Sequence, residues 1–90
     1  MLTQAGDRLV RVDCRFPGTP VVVELLGYRW HRTKAQLARD SERLNALVLD
    51  GLTPYQFTYD QVVAQSDTVL ATVHLALLRA AEAARHRSSA

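Results

Sequence analysis

Ninety residues with 48% hydrophobic and 22% charged side chains describe one small globular domain, residues 1–90, and exclude wholesale disorder. A single cysteine, Cys14, excludes an internal disulfide and a multi-cysteine zinc site, and no apolar run approaches the ~18–20 residues needed to cross a bilayer. The net charge is only +2, but the cations are ten arginines and one lysine, and arginine is the side chain that grips phosphate in a bidentate fork. With no secretory leader in MLTQAGDRLVR, these features set the expectation of a cytoplasmic protein without a membrane partner.

Taken in chain order, residues 1–8 are expected to be flexible. From Leu9 to Phe16, Val10, Val12, Cys14 and Phe16 alternate with Arg11, Asp13 and Arg15, the pattern of a half-buried strand. Pro17-Gly18-Thr19-Pro20 signals a turn, and Val21 to Leu26 forms a second strand, antiparallel to the first. Thr33 is the expected N-cap of a helix from about Lys34 to Leu49, closed by Asp50-Gly51, with Leu37, Leu44, Leu47 and Val48 on its inner face. Pro54 restricts the next segment, Tyr55 to Thr58, to a short or edge strand. Tyr59 to Ala64 suits a helical turn. A last helix runs from Ser66-Asp67 to about Arg85 with Val69, Val73, Leu77 and Ala80 inward, and 86–90 is expected to fray. The order β-β-α-β-α is an α+β pattern, and so small a sheet is expected to leave a face for a homodimer partner or a missing upstream domain to cover.

Glu24, set among aliphatic residues in VVVELL, demands compensation, because even an uncharged polar group buried without a partner costs about 2–7 kcal/mol. If the four turn residues are the loop, Asp13 lies opposite Glu24 across the hairpin, with Val12 opposite Leu25 and Cys14 opposite Val23 on the other face. Two such carboxylates can share a proton, take arginine partners such as Arg11 or Arg15, or hold a divalent cation; oxygen ligands suit magnesium, manganese or calcium. A bulge in the turn would shift the register and undo the pairing.

Beyond the second strand, Gly27-Tyr28-Arg29-Trp30-His31 and then Arg32 and Lys34 interleave aromatics with cations, a composition suited to phosphate contacts. His31 carries an imidazole able to act as base or acid near neutral pH, or is an ordinary histidine. Asp40, three residues after Leu37 and four before Leu44, is turned to the helix inner face, where His31 or Arg43 is a candidate partner.

The series RVDCRFP, VVVELLGYRWH, ARDSERLNALVLDG and YQFTYDQV resembles the very-short-patch-repair (Vsr) endonuclease-like domains of the PD-(D/E)XK restriction-endonuclease-like superfamily, over about Arg11 to Leu78. The resemblance implies a restriction-endonuclease-like core and magnesium-dependent hydrolysis of a DNA phosphodiester, with Mn²⁺ as a substitute ion and double-stranded DNA as the partner. It assigns catalysis to Asp13, Glu24, His31 and Asp40, with Asp13 and Glu24 as metal ligands and Asp40 supporting His31. Arg29, Trp30, Arg32 and Lys34 become DNA contacts. Three features depart from the family pattern: Leu26 stands where a second acid is common, the amino-terminal helix is absent, and Gln56, near Pro54, occupies a place often held by arginine. The first two motivate an alternative: a truncated or inactive nuclease-fold module that binds DNA or a protein.

Overall fold

The computed structural model describes residues 2–5, 8–11, 13–26 and 33–88. Eight elements occur in order: β1 (Leu2–Ala5), β2 (Arg8–Arg11), β3 (Cys14–Arg15), β4 (Val21–Leu26), α1 (Lys34–Leu49), β5 (Thr53–Thr58), α2 (Tyr59–Ala64) and α3 (Ser66–Ser88). The fold is α+β, with the hairpin, helix, strand and helix in the expected order. One sheet has the order β3-β4-β5, with β3 antiparallel and β5 parallel to β4; β1 and β2 form a separate antiparallel pair, Leu2 opposite Arg11. Residues 1–8, expected to be flexible, thus include one complete strand.

The hairpin turn is built by its residue types. Thr19 N–H donates to the Phe16 carbonyl (3.1 Å), Pro17 stands at the second position, and Gly18 at the third adopts φ 79°, the signature of a type II turn. The Thr19 hydroxyl donates to the same carbonyl (2.8 Å) and accepts from Val21 N–H (3.2 Å). The register beyond it is the expected one, Arg15 opposite Val22 and Cys14 opposite Val23. The single strand expected from Leu9 to Phe16 is instead divided between two sheets, β2 and β3, with Asp13 at a bend between them.

Helix α1 begins at a reciprocal capping box: Gln36 N–H donates to the Thr33 hydroxyl (3.1 Å), and Thr33 N–H donates to Gln36 Oε1 (2.9 Å). It ends in a Schellman motif, in which Leu52 N–H reaches the Leu47 carbonyl (3.0 Å) and Gly51 N–H reaches that of Val48 (3.0 Å). Leu47 and Leu52, the apolar pair that accompanies this motif, are buried together with Val22. The end of the helix is therefore joined to the start of β4. Leu44 is half-buried, but Leu37 and Val48, expected on the inner face, are 49% and 56% exposed. The buried face is narrower than the leucine spacing implies.

Val21 and Val22 point to opposite faces of β4 and are 1% and 0% exposed, so both faces are covered at that level. Helix α1 covers the Val22 face; α3, which packs against β4, accounts for the other, with Ala76 buried and Val69, Val73, Leu77 and Ala80 half-buried. The cover thins toward the end of β4: Leu25 is 53% exposed, and of the expected pair Cys14–Val23 the cysteine is exposed and the valine half-buried, while Val12 lies outside the described residues. Strand β5 starts at Thr53, two residues before the expected Tyr55, and Pro54 is accommodated because β5 is an edge strand. Helix α3 continues to Ser88, past the expected end near Arg85. Among the described residues no helix is long and apolar enough to cross a membrane.

Gly51 adopts φ 85°, and a Cβ there would meet nothing within 4 Å, so only backbone strain opposes a side chain. Gly51→Ala is expected to lower unfolding stability by about 1–2 kcal/mol, the cost of placing a Cβ in the left-handed region, measured by urea denaturation. Gly51→Asn should lose less.

Candidate functional site

The site forms where two periodicities meet. Because β5 returns parallel to β4, α1 must run antiparallel to β4 between them. Two residues along a strand advance about 6.6 Å and return to the same face, while four residues along a helix advance about 6 Å and return to nearly the same stripe. With Val22 packed on Leu47, Glu24 is therefore carried opposite Arg43.

Glu24 is 3% exposed, and both of its carboxylate oxygens are engaged. Arg43 closes on it in a bidentate fork, Nη1 to Oε1 and Nη2 to Oε2, the latter at 2.9 Å. Gln56, opposite Glu24 in the parallel ladder, donates its Nε2 to Oε2 at 3.3 Å. The cost of burying the carboxylate is thus offset by a guanidinium and an amide. Among the described residues no buried side-chain nitrogen or oxygen is left without a partner.

Asp13 falls beside Glu24 in sequence register, but its Oδ2 turns to the β4 main chain and accepts the Leu25 N–H at 2.7 Å. A short acidic side chain competing for a backbone donor ends the ladder there, which explains the bend at this residue. Asp40 lies on α1 one turn before Arg43 and is half-buried. The Arg43 pKa is raised, first by its hydrogen bond to Glu24 and further by the fields of Glu24, Asp40 and Asp13, against the opposing effect of burial. The stability linked to this shift is present at every pH below the ordinary guanidinium range and is lost only as pH rises through the raised value, far into alkali.

Glu24 binds the Arg43 guanidinium directly, while Asp40 and Asp13 reach it only through their fields. Among the described residues the arginine partner of Glu24 is Arg43 and not Arg15, one of the two expected for the Asp13–Glu24 pair; the side chain of the other, Arg11, lies outside the described residues. The position of Arg43 was readable as four residues before the buried Leu47, but the helical pattern offered it to Asp40 first. Lys34 is exposed at the first turn of α1. Arg29, Trp30, His31 and Arg32 lie outside the described residues. A divalent ion at Asp13 and Glu24 does not fit the carboxylates as they stand, since both Glu24 oxygens are committed to Arg43 and Gln56 and Asp13 Oδ2 to Leu25. Among the described residues no group of three or more His, Cys, Asp or Glu side chains could hold a metal ion.

Compared with known proteins, the chain matches no family model, no curated protein and no solved structure.

Removing one member of a buried ion pair strands the other. Arg43→Ala is expected to cost about 3–5 kcal/mol, read as a thermal midpoint lowered by about 10 °C or more. The paired replacement Glu24→Leu with Arg43→Met should recover most of that loss, because neither charge is then left buried alone.

Proposed function

We propose that this chain is a restriction-endonuclease-like domain of the Vsr kind that engages DNA at the carboxyl end of β4. The observation that supports it most directly is topological. Parallel strands β4 and β5 are joined through α1, and units of this kind gather their ligand sites outside the carboxyl ends of the strands. Leu26, the last residue of β4, and Thr33, the cap of α1, both lie at that edge and flank the segment of sequence that holds Arg29, Trp30, His31 and Arg32, with Lys34 on the first turn of α1. Cations at this edge would meet phosphates, and Trp30 would offer a face for stacking. Neutralising phosphates releases counterions, which makes the affinity fall steeply with salt.

A second reading is the magnesium-dependent DNA endonuclease that the resemblance implies, with His31 as the general base. It is favoured by the placement of Glu24 two residues before the end of β4 and of the Asp13 carboxylate on the Leu25 N–H, near the same edge. It requires Glu24 to leave Arg43, which the non-catalytic reading does not.

Fluorescence anisotropy with a labelled duplex should show binding whose logarithm falls linearly with that of the salt concentration. Lys34→Ala should flatten the slope by about one unit. No binding at low salt would overturn the proposal. Under Mg²⁺ or Mn²⁺, nicking of plasmid that disappears in His31→Ala would establish the second reading, and nicking that survives both Asp13→Ala and His31→Ala would reject it.

A further inference from the structure

We propose that Arg43 is the resident cation of Glu24, so that Glu24 and Asp13, the pair expected to hold a metal, take up no divalent ion. This goes beyond the DNA-engaging reading and does not depend on it.

The geometry is that of a filled site. The guanidinium is planar and its two terminal nitrogens match the two oxygens of Glu24, the arrangement in which an arginine–carboxylate pair is strongest. Gln56 adds a third donor from the neighbouring strand, which fixes the plane of the carboxylate. The pairing is not an accident of side-chain freedom, since the helix and strand repeats that set Leu47 on Val22 also set Arg43 on Glu24.

A divalent ion arriving here would have to displace a cation tethered to α1. Arg43 is held through both terminal nitrogens, so its departure would break two hydrogen bonds to Glu24. The side chain is 28% exposed, so leaving Glu24 also means abandoning the packing of its stem. Asp13 cannot serve as a partner ligand through Oδ2 without releasing the Leu25 N–H, the donor that continues β4 beyond the end of its ladder with β3.

The test uses the intact native chain. In an NMR titration with Mn²⁺, the amide signals of Leu25 and Arg43 should broaden no more than that of exposed Glu82, and calorimetry should show no saturable uptake. Selective loss of the Leu25 and Arg43 signals, with one-to-one uptake that vanishes in Glu24→Gln, would overturn the proposal. Arg43→Lys supplies a further readout: a lysine keeps the charge but not the fork, so the variant should remain folded, fail to bind Mn²⁺ and show a lowered thermal midpoint. Equal stability of Arg43→Lys and the native chain would show that the bidentate fork does not define the site. DNA binding measured in chelator reports separately on the edge of β4, so loss of one reading is distinguishable from loss of the other.

Discussion

The Glu24–Arg43 pair is the constraint on which the arrangement of β4 and α1 depends. A carboxylate in the centre strand of a three-stranded sheet has no access to water from the strand itself, so its compensation must come from the layer above. Once Arg43 supplies it, the helix is fixed in translation along β4. A shift of α1 by one residue would move Arg43 around the helix and off the carboxylate. The apolar contacts alone do not define the register so sharply, because a leucine can slide along a valine-lined strand with little change in area.

That constraint matters more because the apolar core is small. Among the described residues the buried hydrophobic set is Val21, Val22, Leu47, Leu52, Phe57 and Ala76. Val22, Leu47 and Leu52 form one continuous cluster at the junction of the β4 start and the α1 end. The Schellman motif belongs to the same junction, since its hydrogen bonds deliver Leu52 back onto Leu47 before the chain enters β5. The Thr53 N–H then donates to the Pro20 carbonyl at 2.8 Å, which starts the parallel pairing at the point where the hairpin turn ends. Turn, cap and core are one structural unit, with the ion pair four helix residues beyond it.

Local signals carried most of this architecture into the sequence. Pro17-Gly18 specifies its turn through a fixed proline φ and a glycine φ of 79°, and with it the hairpin register. Thr33 and Asp50-Gly51 bound α1 because their chemistry acts within a few residues. What depended on distant neighbours was less legible. Leu37 and Val48 repeat at helical spacing, yet whether such a side chain is covered depends on what lies across from it, and both are about half exposed. Asp13 reads as an alternating strand residue, but its carboxylate prefers the Leu25 N–H to a place in a continuous ladder. The need for a partner at Glu24 was plain from its apolar neighbours. Its identity required the tertiary meshing of a period of two with a period of 3.6.

A buried ion pair contributes less to net stability than to discrimination among alternatives. Desolvating the two groups consumes much of their attraction, so the folded state gains little over an apolar pair of the same shape. Competing states fare worse. Slipping β4 by one residue would turn Glu24 to the opposite face, away from Arg43, and would place Leu25 or Val23 against the guanidinium. Each alternative then carries a charge without its partner, a penalty of several kcal/mol that the native register avoids. The flanking residues strengthen the selection, for Gln56 reaches Glu24 only when β5 is in the observed register. One carboxylate thereby fixes three elements at once: β4 through its own placement, α1 through Arg43, and β5 through Gln56.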